Sequence, residues 1–146
     1  MIRDILSADR EIFLSMAKSF YSSSAVVHNV DSGNFEATFT AAMDKSPFIR
    51  IFIIEDEGNP IGYALLSFTH SNEAGGLVVW IEEIYISEAY RGKGYGSRFL
   101  EFVEQEYPSA KRIRLEVRGD NEEAVELYYR LGYEALDYVQ MVKDKK

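Results

Sequence analysis

Three glycines at alternate positions, in Arg91-Gly92-Lys93-Gly94-Tyr95-Gly96, are the residues of this chain whose spacing points most directly to chemistry. Glycine has no Cβ, so such a run lets the backbone curl until several N–H groups face one spot, where an anion fits. Apolar residues at helical spacing follow, Phe99, Phe102, Val103 and Tyr107, and place the run at the start of a helix whose dipole adds to the attraction. Arg91 and Lys93 supply further positive charge. Two better-known phosphate loops do not fit. A nucleotide-hydrolysing loop requires Ser or Thr directly after Gly-Lys, where this chain has Gly94, and a dinucleotide loop requires a third glycine where this chain has Ser97. On these residues alone, a plain structural turn stands as the alternative.

Charge is unevenly placed around the loop. Glu82, Glu83 and Glu88 come just before it, and Arg91, Lys93 and Arg98 lie in or just after it. Ordinary mixed surface charge would give the same pattern. Over all 146 residues the net charge is -8, which argues against a nucleic-acid surface and favours cationic partners. The chain has no cysteine, which excludes a disulfide scaffold, a thiolate zinc site and a cysteine acyl-enzyme. His28 and His70 stand alone, without the spacing of metal ligands or of a hydrolase triad, so no metal is expected. No stretch approaches the roughly 18–20 apolar residues of a membrane span, and the N-terminus has no leader pattern. The expectation is a soluble, cytoplasmic protein with no membrane partner.

The elements that must position these residues follow from periodicity. With 47% hydrophobic residues, the chain has the apolar content of one domain over 1–146. Ile12, Met16 and Phe20, with Phe13 and Ala17 beside them, predict a first helix, and Phe35, Phe39 and Met43 a second. Between them, Ser22 to Gly33 reads as a loop. Phe48 to Ile54 and Ile61 to Phe68, broken by Asp56-Glu57-Gly58-Asn59-Pro60, predict a hairpin. Leu77 to Ile86 is a further strand ending at the glycine loop, and Pro108 stops the helix after it. Ile113, Leu115 and Val117 alternate with charges as in a strand. Asp120-Asn121 can cap a helix in which Ala124, Leu127, Tyr128 and Leu131 share one face, with Gly132 closing it. A final strand is expected from Tyr133 to Val142.

From Leu77 to Tyr133 the chain closely resembles the GNAT superfamily of acyl-CoA-dependent N-acetyltransferases. That family's loop reads Arg or Gln, two residues, Gly, one residue, Gly or Ala, and Arg91 to Gly96 matches it. A second family signature matches Asn121, Ala124, Leu127-Tyr128 and Gly132-Tyr133. Trp80-Ile81-Glu82-Glu83-Ile84-Tyr85-Ile86 is most similar to the acidic strand of the small-amine branch. The N-terminal third, which shapes the acceptor pocket in that family, carries no motif.

The resemblance implies an α/β (α+β) fold, with a mixed, mostly antiparallel central sheet flanked by helices and a V-shaped splay between two central strands. It implies acetyl-CoA as co-substrate. The backbone of Ile84, Tyr85 and Ile86 would line the pantetheine arm, the N–H groups of Arg91, Gly92, Lys93, Gly94, Tyr95, Gly96 and Ser97 would hold the pyrophosphate, and Asn121 and Ala124 would lie along the pantetheine from the other side. Tyr128 would serve the leaving sulfur. The transfer would be direct, with no covalent enzyme intermediate.

An alkylamine is protonated at neutral pH, so a carboxylate at the acceptor side can attract it and take its proton. Glu82 is the first choice for that role. Glu82 and Glu83 point to opposite faces of a regular strand and share one only if the strand is bulged. Tyr128 by spacing alone is a core aromatic, Glu82 an edge charge, and Tyr129 packing or surface. His70, taken to lie just past a strand end, is a candidate wall of the acceptor site. The expected acceptor is a small cationic amine, with a protein or peptide amine as the alternative acceptor. The alternatives from other classes are a non-catalytic acyl-CoA sensor and an unrelated nucleotide-binding module. The resemblance also admits a homodimer.

Overall fold

The computed structural model describes residues 1–23, 26 and 30–145. The order of elements is β1 (Ile2–Asp4), α1 (Arg10–Tyr21), α2 (Gly33–Met43), β2 (Ile49–Asp56), β3 (Asn59–Ser71), β4 (Gly76–Ile86), α3 (Tyr95–Glu106), β5 (Arg112–Leu115) and α4 (Glu122–Arg130). His28 and part of the expected Ser22–Gly33 loop lie outside the described residues. No described helix is long and apolar enough to cross a membrane.

The five strands form one sheet in the order β1-β2-β3-β4-β5. β1 to β4 pair antiparallel, and β4 pairs parallel with β5 across the connection made by α3. The β2–β3 hairpin turns at Glu57 and Gly58, both at positive φ, the combination that matches the natural twist of paired strands. β1 carries too few residues for a periodic signal, and it was not legible in the sequence.

Alternation along the strands divides the core in two. Phe52, Ile54, Ala64, Leu66, Val79 and Ile81 pack against Phe99, Leu100 and Val103 of α3. Their neighbours Ile51, Ile53 and Tyr63 face the other way, onto Phe13, Met16 and Ala17 of α1 and Phe35 and Phe39 of α2. The buried stripe of α1 is thus Phe13-Met16-Ala17, and Ile12, expected in it, is 37% exposed. Asp9, itself buried, fixes the entry to α1 by accepting from the Leu6 N–H and from both terminal nitrogens of Arg3.

Two expectations fail. His70 lies inside β3, paired with Leu77 and exposed, because that strand runs on to Ser71. The expected final strand from Tyr133 to Val142 does not form. A strand exists only through a neighbour's backbone, and among the described residues this segment pairs with none. Tyr138, Val139, Met141 and Val142 are left 66–91% exposed.

Candidate functional site

The sheet opens at the middle of β4. Its parallel pairing with β5 runs from Val78↔Arg112 to Ile81↔Leu115 and stops there, while β4 continues to Ile86 with β3 alone beside it. Among the described residues no strand pairs with 82–86 on that edge, which is the expected splay. The Ser87 N–H donates to the Ile61 carbonyl of β3. Backbone groups alternate in direction along a strand, so those of Tyr85 turn toward β3 and those of Ile84 and Ile86 toward the opening. Tyr85 instead contributes its ring, stacked on Tyr63 with centroids 6.0 Å apart. A Cβ on Gly62 would come within 2.3 Å of the Tyr85 carbonyl oxygen, so only glycine lets β3 and β4 run this close.

A bulge sits at the point of opening. Leu65 faces Glu83 and Leu66 faces Ile81, so Glu82 is the extra residue. The consequence is a change of face. Val79 and Ile81 point to the α3 side, and beyond the bulge Ile84 and Ile86 do so, while Tyr85 points to the α1–α2 side. Both carboxylates reach that second side. Glu82 is exposed and accepts from Ser67 Oγ at 2.7 Å. Glu83 is half-buried and accepts two phenol hydroxyls, Tyr63 at 2.6 Å and Tyr21 from the end of α1. Burial is the main force on the Glu83 carboxyl and pushes it above its ordinary range. The tyrosine hydrogen bonds oppose that shift and the nearby Glu82 charge assists it.

At the end of β4 the chain passes through one turn, Glu88–Tyr90, into the glycine loop. Gly92 and Gly94 have φ of 75° and 86°, and Gly94 is the residue from which α3 departs. No side chain caps that end, and a Cβ added at Gly92, Gly94 or Gly96 would meet nothing within 4 Å. The first N–H groups of a helix have no partner in their own helix, so those of Tyr95, Gly96 and Ser97 stand at an open, uncapped cradle that fits a diphosphate. Arg91 is tied back, its Nε donating to the Ile86 carbonyl at 2.7 Å and its guanidinium 5.6 Å from the Tyr85 ring. Lys93 stands over Tyr90, and the Tyr95 hydroxyl donates to Asp56 at 2.7 Å, which anchors the loop to the β2–β3 turn.

α4 lies beyond β5. The Asn121 side chain accepts from the Ala124 N–H at 3.3 Å, the cap expected of it. Tyr128 and Leu131 pack onto the α3-side core, and Tyr129 is 56% exposed on the outer face. Burial raises the pKa of the Tyr128 hydroxyl. Its ring centre is 5.9 Å from that of Tyr133, whose hydroxyl is buried with no hydrogen-bond partner among the described residues and pushed up to about 12, chiefly by burial. Gly132, at φ 91°, closes the helix as expected. Among the described residues no group of three or more His, Asp or Glu side chains is placed to hold a metal ion.

Sequence reasoning missed Tyr21, Tyr63, Ser67 and Asp56. Each acts on a residue far away in the chain, 62 positions in the case of Tyr21 and Glu83, and no local pattern marks such a pair. Gly62 did carry a signal, as an isolated glycine in an apolar strand.

Residues 11–133 match the acetyltransferase (GNAT) family. The spermine/spermidine N(1)-acetyltransferase of Bacillus subtilis is 33% identical over 85 residues, which cover 53% of this chain and 55% of that protein. The thialysine N-epsilon-acetyltransferase of Sus scrofa is 31% identical over 107 residues, 66% of this chain and 62% of its own. The chain thus spans less than two-thirds of the length of these curated relatives. Among solved structures, an aminoglycoside N-acetyltransferase in complex with CoA has a TM-score of 0.79 at 17% identity, covering 100% of this chain and 95% of that one. At that identity the likeness is one of fold.

Proposed function

This chain belongs to the GNAT acetyltransferase family, and on that premise we propose that it transfers the acetyl group of acetyl-CoA to a primary amine of a small cationic molecule. The observation that carries the reading is the open half of β4, where a free backbone edge, a bulge bearing two carboxylates and a glycine cradle follow one another within a few residues. The names of the relatives, which concern spermine, spermidine and thialysine, support an amine acceptor.

Acetyl-CoA supplies an activated thioester carbonyl when bound. The N–H groups from Gly92 to Ser97 hold its pyrophosphate, the backbone groups of Ile84 and the N–H of Ile86 pair with its pantetheine arm, and Asn121 and Ala124 flank that arm from α4. Glu82, exposed at the bulge, attracts the acceptor ammonium and accepts its proton directly or through water, a task worth roughly 10²–10⁴ in rate. Glu83, fixed by two hydroxyls, adds negative charge beside it. A backbone N–H of the open β4 edge polarises the carbonyl as an oxyanion site does. Tyr128, held protonated by burial, donates to the departing sulfur. A thiol pKa of about 8.5 lies below the value of about 10 for tyrosine, so a hydrogen bond is sufficient there. No side chain forms a bond to the acetyl group, and the amine attacks directly.

The test is a thermal shift with acetyl-CoA, ATP and NAD, followed by thiol release with polyamines, aminoglycosides, amino acids and peptides. Stabilisation by acetyl-CoA and turnover on a small polyamine or aminoglycoside is the expected result. Stabilisation by ATP or NAD and not by acetyl-CoA would overturn the reading. Binding of acetyl-CoA without turnover on any amine would assign the chain to a sensor role.

A further inference from the structure

We propose that Arg114 gives the acceptor site an anion-binding end, so that among small cationic amines those that also carry a carboxylate about six bonds from the reacting nitrogen are the preferred acceptors. The inference rests on the acetyl transfer proposed above and narrows the class of its acceptor. It starts from a row of side chains across three strands. Ser67 of β3, Trp80 of β4 and Arg114 of β5 are partners in register. Leu66, Phe68, Val79, Ile81, Ile113 and Leu115 pack on the α3 side, so the residues between them form a row on the opposite face of the sheet, the side of α1 and α2. Glu82 stands at one end of the row, accepting from Ser67 Oγ at 2.7 Å, and Arg114 stands at the other.

The guanidinium of Arg114 lies with its central carbon 3.9 Å from the centroid of the Trp80 ring. The indole covers one flat face and fixes the plane, which leaves the N–H groups around the edge as a fork that matches a carboxylate. Among the described residues no acceptor meets that fork. The arginines on either side are already paired, Arg112 with Glu73 and Arg118 with Asp120. Glu73 is the acid whose charge Arg114 also feels, but both of its oxygens are taken, one by Arg112 and the other by the Tyr138 hydroxyl. In a chain of net charge -8, a stacked cation without an anion beside it is the exception.

The two ends of the row carry opposite charge and so select both sign and length. Glu82 attracts an ammonium, and Arg114 repels a second ammonium and attracts a carboxylate. Strands lie about 4.8 Å apart, which puts Ser67 and Arg114, two strands from each other, about 10 Å apart. An amine and a carboxylate separated by six bonds of about 1.5 Å reach about 7–8 Å when extended, and a hydrogen bond at each end carries them across the row. The space is open to the chemistry. A cavity of about 1050 Å³ along β5 has Arg114 in its wall and reaches Tyr128, the residue placed at the departing sulfur.

The test compares L-lysine with cadaverine, which is the same chain without the carboxylate, in steady-state kinetics with acetyl-CoA. The wild type is expected to prefer lysine by about 10- to 100-fold in kcat/KM, the worth of a charge-assisted pair. Arg114→Gln, its fold checked by circular dichroism, is expected to lose that preference through a higher KM for lysine. A wild type that uses cadaverine as well as lysine, or an Arg114→Gln variant that keeps the preference, overturns the proposal. Calorimetric titration of both amines into the CoA-loaded protein reads the same preference without turnover. Equal binding of the two, or binding of neither, overturns the carboxylate site, whereas tighter binding of lysine with no turnover upholds it and counts against the transfer reaction instead.

Discussion

The loop that opens α3 and the bulge in β4 both present polar groups to an open space, and they are built by opposite means. The loop uses backbone alone: glycines at positive φ and an uncapped helix end leave N–H groups free because nothing nearby competes for them. The bulge uses side chains: Glu82 and Glu83 are brought to one face by a single extra residue and are then held by Ser67, Tyr63 and Tyr21. A backbone site recognises a feature shared by every CoA thioester. A side-chain site can differ from one chain to the next without disturbing the fold, which suits it to selecting the acceptor.

Substitutions can break this division of labour or make it sharper. The largest effect is expected of Tyr128→Phe, which keeps the ring and removes the donor: steady-state kinetics should show kcat lower by about 10²–10⁴ with the KM for acetyl-CoA nearly unchanged. Equal turnover would remove Tyr128 from the chemistry. Gly62→Ala drives a Cβ into the Tyr85 carbonyl, with an expected loss of about 1–3 kcal/mol in urea unfolding. A wild-type midpoint would mean that the two strands part there at no cost. Gly94→Val forces a branched residue into the left-handed region, at a cost of about 1–2 kcal/mol, and should raise the KM for acetyl-CoA while leaving that for the amine alone. A change confined to the amine KM would refute the assignment of the loop to the donor.

The smallest effect concerns pH. Burial, aided by the Glu82 charge, holds the Glu83 carboxyl above its ordinary 4.5 in the folded chain despite two tyrosine hydrogen bonds. The folded protein keeps a proton there that the unfolded chain has released, so stability from this group is present below 4.5 and is lost as pH rises through the folded value. Glu83→Gln removes that loss, and its melting temperature relative to wild type should rise across the window and level off above it. Parallel melting curves over the whole range would show that Glu83 titrates as a free carboxylate.

The same contrast explains what could be read in advance. The glycine loop, the Asn121 cap and the Gly132 closure depend on neighbours within a turn, and their residue types state their geometry. The choice between Glu82 and Glu83 does not depend on neighbours in that way. It turns on which strand residue is left unpaired, a property of the β3–β4 register, and on hydroxyls delivered from α1 and β3. The failure of the expected strand from Tyr133 to Val142 has the same origin. Its composition suits a strand, but pairing belongs to two segments at once and one sequence pattern describes only one of them.

The bulge at Glu82 also acts as a change of reading frame within one strand. Up to Ile81 the odd-numbered residues of β4 face α3, and from Ile84 the even-numbered ones do. Loss of Glu82 alone would restore regular pairing and leave these faces unchanged, whereas regular alternation with every residue kept would turn Tyr85 into the α3 core and Ile84 and Ile86 out of it. When this chain is aligned with one that lacks the bulge, leaving out a one-residue gap at this point therefore exchanges a core contact for a pocket contact at every position as far as the loop.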